Sequence, residues 1–264
     1  MTATLICAIV HTVSLTSAVF ANTRTIRVLL PAGYENSSRA YPVLYLNDGF
    51  SVFRPTAIDI ATLPLPPVIV VGIDNPGAAD ARENEYLPYP DAGFPPSHTY
   101  KPDPAHPNGK LYPRFLIDEV MPFIESRYRV LRGPSNTAIG GFSYGGVAAL
   151  YAVIARPGVF GKLLLESTPL WIGERKDLLD DARKAGAWPA RVSIGVGTAE
   201  SPDEEINAEG QRDIHALMEI IHARSPSTGI RFVVDPGAKH NPAAWRNRLP
   251  AAIDFLFATS PRQQ

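Results

Sequence analysis

The sequence contains a single cysteine, Cys7, among 264 residues. With one thiol, the chain can form no disulfide within itself and no zinc site built on several cysteines. It also lacks an excess of either charge, because 25 lysine and arginine residues face 26 aspartate and glutamate residues, for a net charge of −1. Nucleic-acid-binding proteins are usually basic, so we expect no nucleic-acid partner.

Long apolar runs are also absent, so no integral membrane segment is expected. Two interpretations of the N-terminal segment, residues 1–22, stay open. Residues 4–10 are apolar and residues 19–21 resemble a signal-peptidase site, as in an exported protein. However, residues 1–10 carry no lysine or arginine and polar residues interrupt the apolar stretch, which favours a cytoplasmic location. The alternation of residues 13–16 instead predicts an edge strand.

What the chain does contain is an alternation of strands and helices. Apolar runs predict strands at residues 25–30, 43–46, 68–73, 137–139, 163–165, 192–196 and 231–234. Apolar residues at helical spacing predict helices near residues 116–124, 147–154 and 214–221, and a last helix that Asn241 caps and Pro242 begins. This pattern predicts one α/β domain over residues 23–260, with a mostly parallel sheet covered by helices on both faces.

Proline is abundant, and eight of the 26 prolines lie in residues 75–109. This stretch shows little periodicity, and loops of such length in a compact domain usually serve as lids or binding loops. Its aromatic residues, Tyr86, Tyr89, Phe94 and Tyr100, favour packing against the domain. We therefore predict a proline-rich flap.

The sequence Gly141-Phe142-Ser143-Tyr144-Gly145 joins a predicted strand to a predicted helix. G-x-S-x-G in this context predicts a nucleophile elbow, a turn so tight that the serine adopts a strained backbone conformation. Glycine at positions 141 and 145 avoids a collision across the turn. An ordinary glycine-rich turn is the alternative, so the assignment depends on partner residues.

A nucleophilic serine needs a base, and the base needs a group that orients it. In α/β hydrolases these residues follow the order serine, acid, histidine. His240 comes after the predicted strand at 231–234 and before the capped helix, which places it at the carboxyl end of a strand, where sites form in parallel sheets. We predict that His240 is the base, with a polar turn residue as the alternative.

The acid is predicted to be Glu200, which follows the strand at 192–196 and could orient the imidazole of His240. Two alternatives stay open. Glu166 ends the preceding strand, and Asp203 lies with Glu204 and Glu205 in an acidic loop that also fits a simple solvated role.

A tetrahedral intermediate also needs backbone donors for its oxyanion. The elbow supplies the N–H of Tyr144, the residue after the serine. The loop after the second predicted strand supplies the N–H of Phe50, with Gly49 permitting a close approach. Ordinary turn geometry is the alternative for this loop.

Over residues 24–258 the chain resembles the putative-esterase family of α/β hydrolases, which includes enterochelin esterases, esterase D-type enzymes, feruloyl esterases and mycolyltransferases. The residues that carry the resemblance are 25–31, 33–34, 41–46, 48–49, 115–116, 128–130 and 157–161, with Glu119, Trp171, Gly197, Glu200, His240, Trp245 and Arg246. It implies Ser143, Glu200 and His240 as a catalytic triad, and Trp171 as a residue lining the acyl pocket. The closest likeness is to the enterochelin-esterase-like branch, but no basic residues for a trilactone siderophore can be identified.

Together these features predict a metal-independent serine esterase that needs no cofactor and acts on a small-molecule ester through an acyl-serine. Acyl transfer to an acceptor other than water is one alternative, and a non-catalytic binding module with a hydrolase fold is another. A metal site of His98, Asp103 and His106 is disfavoured, because the spacing fixes no ligand geometry. The residues do not determine the acyl group, the alcohol or the oligomeric state.

Overall fold

The computed structural model describes residues 9–77, 81–91 and 107–258. Within these residues eight strands form one sheet in the order β1-β2-β4-β3-β5-β6-β7-β8. The strands are β1 (Ile9–Ser17), β2 (Asn22–Leu30), β3 (Val43–Asn47), β4 (Ile69–Ile73), β5 (Thr137–Phe142), β6 (Lys162–Glu166), β7 (Arg191–Ala199) and β8 (Gly229–Lys239). Strands β4, β3, β5, β6, β7 and β8 run parallel, whereas β1 and β2 are antiparallel to their neighbours.

Helices cover both faces of this sheet. They are α1 (Gly49–Phe53), α2 (Ala81–Tyr86), α3 (Tyr112–Phe115), α4 (Met121–Glu125), α5 (Tyr144–Ala155), α6 (Asp177–Lys184), α7 (Glu204–Arg224) and α8 (Pro242–Phe257). Buried residues of α3 to α7 share one apolar cluster with the sheet, and α1 and α8 contribute to a second cluster on the opposite face. The mostly parallel α/β architecture expected from the sequence is confirmed.

Two elements differ from their predicted form. The helix expected at 116–124 is part of a longer helical segment. In this segment a π-helical turn, Leu116–Val120, connects α3 to α4, and Pro122 lies just after that turn. Strand β8 continues to Lys239. Asp235 pairs with Gly197 of β7 and Lys239 pairs with Ala199, with an irregularity between these two pairs. Pro236 is tolerated there because β8 is an edge strand, whose outer N–H groups need no ladder partner.

The N-terminal residues 13–16 lie in β1, at the opposite edge of the sheet. Of the predicted flap, Tyr86 is buried and Tyr89 is half-buried against the core, whereas Phe94 and Tyr100 lie outside the described residues. No helix in the described ranges is both long and apolar enough to span a bilayer.

Candidate active site

Ser143 lies between the end of β5 and the start of α5, with φ 52° and ψ −129°. Positive φ is strained for a residue with a side chain and persists only where the surroundings impose it. Here the N–H of Ser143 donates to the carbonyl of Glu166 at 2.9 Å, and the N–H of Gly146 donates to the carbonyl of Ser143 at 2.9 Å. This backbone has the geometry of a nucleophile elbow.

Two glycines permit the elbow because neighbouring atoms occupy the space of a side chain. A Cβ on Gly141 would overlap the backbone of Gly145 across the turn. A Cβ on Gly145 would lie 2.7 Å from Oδ2 of Asp48. The start of α5 therefore packs directly against the loop that follows β3.

His240 follows β8 directly, and its Nδ1 lies 2.7 Å from Oε2 of Glu200. Oε1 of Glu200 accepts hydrogen bonds from Ser167 Oγ and from the N–H of Gly197, both at 2.6 Å. Burial alone would raise the pKa of Glu200, but the hydrogen bonds from His240, Ser167 and Gly197 outweigh it and hold the pKa below its ordinary value. An ionised Glu200 keeps a proton on Nδ1 and leaves Nε2 able to accept one.

The two alternative acids have other partners. Glu166 is fully buried and pairs with Arg248, whose Nε lies 2.7 Å from Oε2. Burial raises the pKa of Glu166 to about 7, although Arg248 opposes this shift. Asp203 caps α7 by accepting the N–H of Glu205 at 2.8 Å.

Glu200 is held by side chains whose supporting role no sequence pattern indicates. Ser167, at φ 49°, accepts a hydrogen bond from Trp245 Nε1 at 2.9 Å and another from Arg248 at 3.2 Å. The indole of Trp245 also packs edge-on against the ring of His240, with centroids 5.2 Å apart. These contacts hold both the acid and the imidazole, and no local motif marks Ser167 or Arg248 in advance.

The loop after β3 reaches the same site. Asp48 adopts a left-handed conformation, φ 59° and ψ 44°, and α1 starts at Gly49. Phe50 lies in the first turn of α1, where N–H groups have no partner within the helix, and the residue is 54% exposed. The side-chain amide of Asn47 donates to the carbonyl of Gly145 at 2.6 Å, which ties this loop to the elbow.

Ser143 lies between two cavities. The first, about 290 Å³, is lined by Ser143, His240, Glu200, Trp171 and Asp91, with Val196, Ile206 and Ile214 as apolar walls. The second, about 680 Å³, is lined by Ser143, Phe50, Asp48, Arg82 and Trp245, with Asp74 and Asn75 as further polar groups. An ester whose carbonyl carbon lies at Ser143 can extend into both.

Asp91, in the flap, was not identified from the sequence. Its Oδ1 accepts the indole N–H of Trp171 at 3.2 Å, and its Oδ2 accepts the hydroxyl of Tyr144 at 2.6 Å. The carboxylate thereby orients two aromatic rings in the wall of the smaller cavity.

No group of three or more histidine, cysteine or acidic side chains that could hold a metal occurs in the described ranges. His98, Asp103 and His106 lie outside them.

Comparison with known proteins finds an esterase and a serine hydrolase among the relatives, together with an uncharacterized protein. YbbA of Bacillus subtilis, an uncharacterized protein, is 24% identical over 248 residues, covering 90% of this chain and 94% of YbbA. An iron(III) enterobactin esterase of Dickeya dadantii is 26% identical over 156 residues, covering 53% of this chain and 34% of that enzyme. An IroE-like serine hydrolase from Shewanella oneidensis has the same fold, with a TM-score of 0.74 at 24% identity, over 92% of this chain and 78% of that one.

A sequence model of the family described as "Putative esterase" matches residues 17–256. The matched region begins at the end of β1 and ends inside α8, so it includes the whole sheet from β2 to β8 and every residue of the site described above. The chain therefore belongs to the "Putative esterase" family and is a carboxylic ester hydrolase with an α/β-hydrolase fold.

Proposed function

We propose that the chain cleaves small-molecule carboxylic esters through an acyl-serine at Ser143, with His240 as the base and Glu200 as its orienting acid. One observation carries the proposal: the bond of 2.7 Å between His240 Nδ1 and Glu200 Oε2, at a cavity that Ser143 also lines. This arrangement can take the proton from a serine hydroxyl that is a poor nucleophile by itself.

In the first half of the reaction, Oγ of Ser143 attacks the ester carbonyl while Nε2 of His240 takes its proton. The negative charge that develops on the carbonyl oxygen is stabilised by the N–H groups of Tyr144 and Phe50. When the carbon–oxygen bond to the alcohol breaks, His240 returns the proton to the departing alcohol. Ser143 then carries the acyl group.

In the second half, water attacks the acyl-serine while His240 takes a proton from it. Collapse of the second tetrahedral intermediate breaks the bond to Oγ of Ser143, and His240 returns the proton to that oxygen. The products are one acid and one alcohol, and the enzyme regains its starting state.

The acyl group is assigned to the smaller cavity, with Trp171 in its wall. Three apolar side chains there, Val196, Ile206 and Ile214, suit a hydrocarbon or aromatic acyl group. A panel of esters graded by acyl length and aromaticity would define the preference. Siderophore lactones belong in that panel because one relative is named an enterobactin esterase, although this chain covers only 34% of it.

A second candidate is acyl transfer to a hydroxyl-bearing acceptor in place of water. Asp74, Asn75 and Arg82 line the larger cavity and could bind the hydroxyls of a polyol. Glycerol or a sugar added to the assay distinguishes the two, since transfer yields a new ester and hydrolysis yields free acid.

The decisive variant is Ser143→Ala. We expect turnover of a small activated ester to fall by roughly 10⁴- to 10⁶-fold, as for removal of a triad serine, with an unchanged circular dichroism spectrum. A fluorophosphonate probe should label the wild-type protein at Ser143 and leave the variant unlabelled. Wild-type turnover in the variant would disprove the proposal, and absence of labelling in both would favour a binding module.

A further inference from the structure

One ion pair lies beside the elbow and has no role in the steps above. Arg82, on α2, binds the carboxylate of Asp48 with two hydrogen bonds, from Nε to Oδ1 at 2.7 Å and from a terminal N–H to Oδ2 at 2.9 Å. The side chains are 27% and 9% exposed. Such a two-bond pair in a largely water-excluded place is strong and geometrically defined.

Asp48 places a negative charge close to the reacting atoms. It immediately precedes α1, whose first turn contains Phe50, and its Oδ2 lies against Gly145 of the elbow. Asp48, Phe50 and Ser143 line the same cavity. A carboxylate without a cation at this position would oppose the negative charge that develops on the substrate oxygen.

The structure fixes Arg82 so that it can counter this charge. Tyr86, also on α2, accepts the N–H of Asp48 through its hydroxyl at 3.0 Å. A buried ion pair between Arg24 of β2 and Glu85 holds the same short helix to the sheet. The helix therefore contacts Asp48 twice and is anchored at a third point.

Apart from the carboxylate of Glu83, 3.9 Å from a terminal nitrogen, the remaining surroundings of the guanidinium are aromatic and polar. It lies 5.3 Å from the ring centroid of Tyr86 and 5.7 Å from that of Tyr144, and a terminal N–H lies 3.5 Å from the carbonyl of Phe142. Burial would lower the pKa of Arg82, but the bonds to Asp48 outweigh it and raise the pKa above its ordinary value. The guanidinium is thus permanently charged and held in one orientation.

We propose that Arg82 is a positioning residue that acts through Asp48: it neutralises this carboxylate and holds it in one orientation beside the oxygen that Phe50 and Tyr144 stabilise. The proposal rests on the proposed function, because it assumes an oxyanion at this place. Asp74, the other carboxylate of the cavity, is likewise neutralised by an arginine, Arg27, at 2.8 Å.

The test compares Arg82→Gln, Asp48→Asn and the double variant on one activated ester. Arg82→Gln leaves the carboxylate without its cation. We expect kcat to fall about 10- to 100-fold, less than the roughly 10²- to 10³-fold loss on removal of an oxyanion donor itself, with KM changed less than about threefold. In the double variant, position 48 carries no carboxylate that would need a cation. The kcat of the double variant should therefore recover to within about fivefold of the kcat of Asp48→Asn. Glu83→Gln is the matched control. It removes a carboxylate whose Oε1 lies 3.9 Å from Nη1 of Arg82, the nitrogen that does not bind Asp48, and it should keep wild-type kinetics.

A purely structural role predicts a different pattern, in which the double variant is no better than Arg82→Gln and the melting temperature falls with activity. That result, or wild-type kcat in Arg82→Gln, would overturn the inference. Failure of the proposed function is recognised separately, since only that failure leaves Ser143→Ala as active as the wild type.

Discussion

At the scale of single residues, Glu200 is the most constrained group of the site. Its two oxygens receive three hydrogen bonds, from His240, Ser167 and the N–H of Gly197, at 2.6 to 2.7 Å. Each donor favours the ionised carboxylate, which explains the lowered pKa in spite of burial. Glu200 is thus already charged before a substrate arrives.

Replacing Glu200 by Gln removes this charge at nearly constant size. The amide can present N–H to Nδ1 and so favour the tautomer whose Nε2 carries the proton and cannot act as a base. We therefore expect kcat to fall by about 10³- to 10⁴-fold, as when the triad acid of a protease becomes its amide. Steady-state kinetics on an activated ester measure the change.

Asp203→Asn is the control for this experiment, because Asp203 lies in the same acidic loop but only caps α7. Its kcat should stay at the wild-type value. A large loss in Asp203→Asn with little change in Glu200→Gln would reverse the assignment of the acid.

Sequence reasoning identified candidate residues in ordered motifs and missed residues that meet only in three dimensions. Ser143, Glu200 and His240 were proposed from chain order and strand ends, and the structure brings all three to one cavity, although their roles stay predictions. Ser167 and Arg82 belong to no motif. Their partners, Glu200 and Asp48, are 33 and 34 residues away, so only the packed fold brings them together.

At the scale of elements, the turn from β5 to α5 tolerates little change. Gly141 faces the backbone of Gly145 rather than a side chain that could rotate away. Strand and helix must separate if any larger residue is placed there. Strand β5 lies inside the sheet and α5 packs in the apolar cluster that covers it, so neither can move alone.

We expect Gly141→Ala to lower the free energy of unfolding by about 3 kcal/mol or more, at the upper end of the cost of overpacking. Gly210→Ala is the contrasting variant. Gly210 lies within α7, and the nearest atom to its added Cβ would be Trp171 Cζ3 at an ordinary 3.9 Å. Alanine is the better helix former by about 1 kcal/mol, so this variant should be slightly stabilised.

Urea denaturation of both variants provides the comparison. Equal stability of Gly141→Ala and the wild type would mean that the elbow adapts more freely than its close contacts indicate.

Element boundaries were predicted less well than element types, and β8 shows why. Its apolar run ends at Val234, but pairing with β7 extends the strand to Lys239 through Pro236 and Gly237. Pairing with β7 stops at Asp235 and resumes at Lys239, so the turn-forming residues between them form an irregularity inside the strand and do not end it. The same extension places His240 immediately after the strand, which fixes its backbone more firmly than a free loop would.

At the scale of the whole molecule, burial of Glu166 and Arg248 links stability to pH. Burial raises the pKa of Glu166 to about 7, while Arg248 opposes the shift. The ordinary pKa of a glutamate is about 4.3, so the folded chain binds this proton more tightly than the unfolded chain does. The stability that Glu166 contributes is therefore complete below about pH 4.3 and is lost as the pH rises towards 7.

Glu166→Gln should remove this dependence. Between pH 5 and pH 8 we expect the wild-type free energy of unfolding to decline relative to the variant, by at most about 3 kcal/mol. Denaturant titrations at several pH values measure it, with Glu204→Gln as a control for loss of an exposed carboxyl group. Parallel curves for the wild type and Glu166→Gln would show that Arg248 keeps the carboxylate ionised throughout.

The fold class of the whole molecule followed from periodicity, because apolar strands alternating with amphipathic helices have few other ways to pack. The antiparallel arrangement of β1 and β2 at one edge had no such signal. Alternating residues identify a strand but do not give its direction, which depends on the pairing with β4.

The position of Ser143 between two cavities has a consequence for how this lineage can diversify. The apolar walls of the smaller cavity come from β7 and α7, whereas Ile58 and Asp74 of the larger one come from the segments that follow α1 and β4. Substitutions in one set leave the other set intact. Selection can therefore alter the preference for one half of an ester at a time while the reaction itself is inherited unchanged.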